Sequence, residues 1–236
     1  MKIPSILGLG ALLIAGLPAV AADFAATRVG TPSAAAPAGW RTLSVPGKPE
    51  TQFSAASART IKVTAQDSAG FLYRKVVARE PGHRQLTWRW RVDMAPPPTD
   101  QSMPGMDDRP LAVHVWFDGE PGADSSWTPL DRVGAWLFDV PLPGKVLTYV
   151  WGGTGRRGDS LVNPHLRKDG RIIILRPGAT PTGRWFGESV DIDADFRRVF
   201  GTPAPPPRFV AISGDTDDKR GVSMGSIAGL GFQARP

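Results

Sequence analysis

Residues 86–92 read Leu-Thr-Trp-Arg-Trp-Arg-Val, an unbroken alternation of apolar and polar side chains. Successive side chains of a strand point to opposite faces, so this run puts Leu86, Trp88, Trp90 and Val92 on one side and Thr87, Arg89 and Arg91 on the other. Two tryptophans on one face need a core to bury them, which calls for an antiparallel sheet with one covered side. Candidate strands follow the same logic at 59–65, 71–78, 85–93, 110–118, 133–140, 145–151, 171–176, 184–192, 208–214 and 226–233. They are divided by turn pairs such as Pro104-Gly105, Pro143-Gly144, Asp169-Gly170 and Pro177-Gly178. One stretch carries helix signals: Asp193 as cap, Asp195 in the first turn, apolar Phe196, Val199 and Phe200, and Gly201 at the end. The expected fold is all-β, a two-sheet antiparallel sandwich of jelly-roll type with one short helix.

The first residues read as an export signal. Lys2 supplies the positive end, Ile6 to Leu17 the apolar core, and Ala19-Val20-Ala21-Ala22 the small residues of a cleavage site before Asp23. That apolar run is shorter than the ~20 residues that span a bilayer, and no later segment approaches that length. The expected organisation is a signal peptide over 1–22, a flexible Ala/Pro-rich leader with an ordered end over 23–49, and one β-sandwich domain over 50–236, in the periplasm or secreted. The chain has no cysteine, so an exported fold of this size must rest on its core alone. Cleavage after Ala21 or Ala22 would lower the formal charge of +6 by one. A modest arginine excess on an exported protein points to acidic glycans or other envelope polymers. Nucleic acid is not an expected partner, because no recognition helix or aromatic RNA-binding motif accompanies the charge.

Five short motifs in order resemble a known family. They are Leu86–Val92, Asp107-Asp108, Tyr149-Val150-Trp151-Gly152, Asp195-Phe196-Arg197-Arg198-Val199-Phe200-Gly201 and Asp215-Thr216-Asp217-Asp218. Together they make the chain similar, from about Trp40 to Phe232, to the bacterial exported family called domain of unknown function 3047. The resemblance implies a jelly-roll fold like that of carbohydrate-binding modules and no particular activity. The chain departs from the family pattern at Val190-Asp191, where an Arg-Asn pair is expected, and at Lys219, where a small polar residue is expected.

Three constellations carry candidate chemistry. On strand 110–118, His114 and Trp116 share the face opposite Leu111, Val113, Val115 and Phe117; if this strand neighbours 85–93, Arg89 and Arg91 join them. An indole flanked by Arg and His donors could hold an acidic polysaccharide or another envelope glycan; the competing reading packs Trp116 under a loop. Asp215, Asp217 and Asp218 form an acidic loop that calcium, an arginine partner or solvation could each satisfy, with Asp107-Asp108 as a possible complement. The pattern is not an EF-hand, since Lys219 falls on a ligand position and no Glu closes the loop. For a polysaccharide-degrading enzyme on the same fold, Glu188 is the one glutamate placed on a strand. Gly158-Asp159-Ser160-Leu161 spells an esterase nucleophile block, but His165 beside Pro164 has no evident orienting acid. Gly153-Thr154-Gly155-Arg156-Arg157-Gly158 has dinucleotide-loop spacing without a following helix. Binding without catalysis is the expected function.

Overall fold

The computed structural model describes residues 38–45, 47–77, 84–118 and 144–233. The segment expected as signal peptide, most of the leader and the candidate strand at 133–140 lie outside the described residues. Among the described residues twelve strands form, in chain order: β1 (Arg41–Ser44), β2 (Gln52–Ser57), β3 (Thr60–Gln66), β4 (Ala69–Lys75), β5 (Gln85–Met94), β6 (Arg109–Phe117), β7 (Lys145–Trp151), β8 (Ser160–Asn163), β9 (Arg167–Arg176), β10 (Phe186–Asp191), β11 (Pro207–Asp215) and β12 (Val222–Gln233). A single described helix, α1 (Ile192–Phe200), sits between β10 and β11. The strands pair into a seven-stranded sheet, β1-β4-β11-β6-β7-β9-β8, and a five-stranded sheet, β10-β5-β12-β3-β2. The result is the jelly-roll-like sandwich.

The alternation in β5 works as read: Leu86, Trp88, Trp90 and Val92 are buried in the interior. Opposite them β6 contributes Leu111, Val113, Val115 and Phe117 to the same core. Trp90 lies edge-to-face with both Trp88 and Trp151, at ring separations of 5.4 and 5.7 Å. Such perpendicular contacts suit the aromatic quadrupole and fix the stacking of the two sheets.

Three strands carried too weak a pattern to be read. β2 (Gln-Phe-Ser-Ala-Ala-Ser) buries Phe53 alone, and β1 buries only Leu43, at the ordered end of the expected leader. β8 has four residues at a sheet edge. One pairing breaks the antiparallel rule. β9 lies parallel to β7 because β8 takes the outer edge and β9 inserts between them.

The helix also starts earlier than its sequence signals suggest. Asp191, not Asp193, is the cap, accepting the Asp193 and Ala194 N–H groups at 3.1 and 3.0 Å. The shift follows from Ile192, whose burial in the core draws it into the first turn and leaves Asp193 free to pair with Arg84. Gly201 ends the helix as expected, in the left-handed region at φ 75°, with its N–H on the Arg197 carbonyl.

At the middle of the seven-stranded sheet all nine residues of β6 are buried, so both of its faces are covered there. On its outward face Trp116 packs with Leu43, Tyr73, Val146, Leu166 and Ala211 in a second apolar cluster. Its indole stacks on the Tyr73 ring at 5.6 Å. This is the packed alternative for Trp116, and it sets the floor of the site described next.

Candidate functional site

The two acidic motifs meet because β6 and β11 pair antiparallel, with Arg109 at the start of one opposite Asp215 at the end of the other. Asp107-Asp108 just before β6 therefore faces Asp217-Asp218 just after β11. The Asp108 carboxylate accepts the backbone N–H groups of Asp218 and Lys219 at 3.0 and 2.9 Å, and the Asp107 N–H donates to the Asp218 carboxylate at 3.0 Å. This long-range clasp is what the sequence left open for Asp107-Asp108.

Arg109 is the keystone. Its side chain is 7% exposed and pairs with Asp107 at 3.0 Å and Asp215 at 3.3 Å. Asp215 is thus held by a guanidinium on the neighbouring strand, the arginine partner among the three expected ways of satisfying this loop. Lys48 pairs with Asp217. His165 places Nε2 3.0 Å from Asp107, giving that histidine an orienting acid 58 positions away in sequence. Asp159 accepts the Arg156 N–H, and the acid that orients His165 is Asp107.

These groups rim a pocket of about 120 Å³ whose floor includes Phe71, His114 and Trp116. His114 lies between hydroxyls, 3.1 Å from Thr148 and 2.9 Å from Ser213. Burial, aided by the charge of Arg109, pushes it well below the usual histidine range and keeps it neutral. Burial alone would raise Asp107, but the His165 hydrogen bond and the Arg109 charge hold it below the usual carboxylate range. Burial and the charge of Asp107 push Asp218 up to about 6. Burial also drives Asp215 well above its ordinary value against the pull of Arg109.

His165 has a stability consequence. Burial pulls its value down, yet the hydrogen bond and charge of Asp107 raise it above the unfolded 6.5. The stabilisation is therefore complete below pH 6.5 and is lost as pH rises through the folded value. His114, with its depressed value, acts in the opposite sense only below 6.5, while the raised carboxyls of Asp215 and Asp218 lower stability with rising pH whether or not His165 is present, so the share of His165 is read from the difference between the two slopes. The urea midpoint is expected to fall as pH rises above 6.5 and to fall less in His165→Gln; equal slopes in the two proteins would contradict the pairing.

Oxygens of Asp108, Asp215 and Asp217 approach within 4.8 Å of one another, so these three, not the expected Asp215, Asp217 and Asp218, form the set that could hold a metal. Asp218 turns to the Asp107 amide instead. The donor set fits calcium poorly. Asp108 is taken by two amides, Arg109 and Lys48 already supply positive charge, and calcium asks for six to eight oxygens. Chelator and millimolar calcium are expected to give the same melting temperature; a rise with calcium would show that the cation displaces these ion pairs.

Arg89 and Arg91 do not join His114 and Trp116. β5 lies in the five-stranded sheet, so the two pairs occupy opposite outer faces of the sandwich. Arg91 pairs with Asp93, while the Arg89 guanidinium sits 5.4 Å over the indole of Trp185. There Arg59, Thr87, Arg89, Gly187, Ser189 and Gly229 line an open groove of about 650 Å³. A bulge in β12 between Ala228 and Gly231 opens it, with Gly229 at φ 66°. Side chains grafted at Gly187 or Gly229 would meet nothing within 4 Å, which leaves the groove floor bare. Glu188, though next to this floor, points inward. Its fully buried carboxylate takes Arg157, Arg176 and the Trp90 N–H, a structural arrangement that leaves it no catalytic freedom. Arg59 and Trp185 were missed because each is isolated in sequence; only the β3–β12–β5 register brings Arg59 beside Arg89.

Residues 38–228 match the model of a family described as "Protein of unknown function (DUF3047)". No curated protein matches the sequence. Among solved structures, the xyloglucanase domain of NopAA, a type three effector from Sinorhizobium fredii, is 8% identical with a TM-score of 0.47, covering 89% of this chain and 98% of that one. The catalytic domain of Humicola grisea Cel12A is 13% identical with a TM-score of 0.44, covering 81% and 91%. A family 12 xyloglucanase from Bacillus licheniformis is 8% identical with a TM-score of 0.40, covering 86% and 89%. At these values their substrates remain properties of those proteins.

Proposed function

Since the chain belongs to the family described as protein of unknown function (DUF3047), its role has to be read from its surfaces, and we propose that it is a glycan-binding protein of the periplasm or cell exterior that holds an acidic polysaccharide in the Arg59–Arg89 groove. One observation carries this reading. Arg59, Lys62 and Arg89 on this side of the sandwich have no acidic partner among the described residues, and the groove between the two arginines has a glycine floor. Cations left unpaired beside an open channel attract a polyanion, and the small residues let its backbone approach closely. Trp185 holds Arg89 at the groove edge through its ring.

The test is binding of de-esterified polygalacturonate, with its methyl ester as a control that has the same backbone and no charge. The acid form is expected to bind at low salt and weaken as the Debye length falls from ~30 to ~8 Å between 0.01 and 0.15 M salt. Arg59→Ala combined with Arg89→Ala should weaken it about tenfold, near the upper range for two exposed charges. Equal binding of the methyl ester, or no effect of the double variant, would refute the reading.

A catalytic reading draws on one observation in the opposite pocket. His165 beside Asp107, with the Asp218 carboxyl pushed up to about 6, puts an imidazole and a proton-holding carboxyl on one pocket. Shortening of a glycan by the purified protein, abolished in His165→Ala, would establish it.

A further inference from the structure

After Met1 the chain carries four methionines, Met94, Met103, Met106 and Met224, and none of them belongs to the buried core. A flexible thioether side chain ordinarily fills gaps in an interior. Here Met94 is 45% and Met103 51% exposed, and Met106 and Met224 are half-buried. All four also lie at one end of the sandwich, where β5 finishes, β12 starts and residues 95–108 lead into β6. They are arranged there as two facing pairs.

The first pair spans a tight turn. The Met106 N–H donates to the Met103 carbonyl at 3.1 Å around Pro104-Gly105, with Gly105 at φ 74°. Proline followed by glycine at positive φ makes a type II turn, which keeps the Cα atoms of its end residues within about 7 Å. The turn is anchored on its N-terminal side, because the Met103 N–H bonds the Asp100 carbonyl and the buried Thr99 and Gln101 side chains both donate to the Asp108 carbonyl. The second pair is made by a bulge. Met224 faces Met94 and Gly225 faces Val92, which leaves Asp93 as the extra residue of β5. Strict alternation from Val92 would aim Met94 at the interior. The bulge turns it outward beside Met224, and facing residues of adjacent strands start roughly 5 Å apart at Cβ.

Two sulfurs held at such a span can close on one ion, and the surroundings decide which kind. The acids that border these methionines are already engaged: Asp93 with Arg91, Asp100 with the Ser102 hydroxyl, Asp107 with Arg109 and His165, and Asp108 with two backbone amides. A hard cation would have to break those contacts, whereas a soft one uses the sulfurs and leaves them intact. The chain has no cysteine, so thioethers are its only sulfur donors, and thioethers select copper(I). We infer that each methionine pair binds a soft monovalent cation of the copper(I) class, one across the Met103–Met106 turn and one across the Met94–Met224 bulge. These sites depend on neither the arginine groove nor the acidic pocket.

The experiment labels the methionine methyl groups of the full chain with carbon-13 and titrates it with silver(I) in chloride-free buffer, since silver(I) shares the charge and softness of copper(I) without its redox chemistry. The methyl signals of Met94, Met103, Met106 and Met224 are expected to shift and to saturate at one ion per pair. Copper(I) kept reduced with ascorbate should shift the same signals. Met103→Leu is expected to weaken the response of Met106 at least about tenfold, and Met224→Leu that of Met94, because each loses one arm of a chelate. Leucine conserves the volume, so a fall in affinity does not report unfolding. A thioether carries no proton to displace, so affinity should hold between pH ~5 and ~8, where imidazole ligands titrate. Methyl signals unmoved by silver(I), or moved equally by calcium, would overturn the inference. So would a Met106 or Met94 response that is unchanged when its partner is leucine, since the four would then be independent surface thioethers.

Discussion

Arg109→Met is expected to lower stability by about 3–5 kcal/mol, the range for removing one partner of a buried ion pair. The guanidinium lies between Asp107 and Asp215, and its loss leaves the Asp107 carboxylate without its counter-charge and Asp215 without its strand partner. For a domain of this length the melting temperature should fall by roughly 6–20 °C. Arg109→Lys should recover only part of this, since one ammonium lacks the planar fork that spans two carboxylates. Urea unfolding checks it. A loss below about 1 kcal/mol would mean that the clasp between the β6 and β11 ends does not depend on this residue.

Trp90→Ala should be comparably severe, about 3–5 kcal/mol by cavity formation. Trp90 is fully buried, contacts Trp88 and Trp151 edge-on, and donates its indole N–H to Glu188. The substitution empties the middle of the interior and also removes one of three donors from a buried carboxylate. Trp90→Phe retains most of the volume but not the donor, so the difference between the two variants separates packing from the hydrogen bond. Near-neutral behaviour of the alanine variant would contradict the interior placement of β5.

The β5 core face was legible because alternation is a local property: once Trp88 and Trp90 share a side, burial follows. The same holds for β6, β7 and the end of α1 at Gly201. What alternation cannot supply is which strands are neighbours. Arg89 and Arg91 look like natural companions of His114 and Trp116 in a linear reading, yet the sheet order sends them to opposite outer faces. The acidic loop illustrates the converse. Its unusual charge density marks Asp215, Asp217 and Asp218 as special, but their partners Arg109, Lys48 and the Asp107 N–H come from distant stretches and are fixed only by the fold. β1, β2 and β8 stayed hidden because one or two buried side chains per strand leave no period to detect. Glu188 was conspicuous as a lone strand glutamate; its two arginines and an indole donor give it a structural role that no spacing foretells.

The most direct test of the glycan-binding account is an NMR titration of the full-length protein with short de-esterified oligogalacturonides at low salt. The account predicts that the perturbed amides cluster at Thr87–Arg91 of β5, Gly187–Ser189 of β10 and Ala228–Gly229 of β12, and that they return to their free positions when salt is raised. Perturbations centred on Asp107, His165 and Asp217, or none at all, would contradict it.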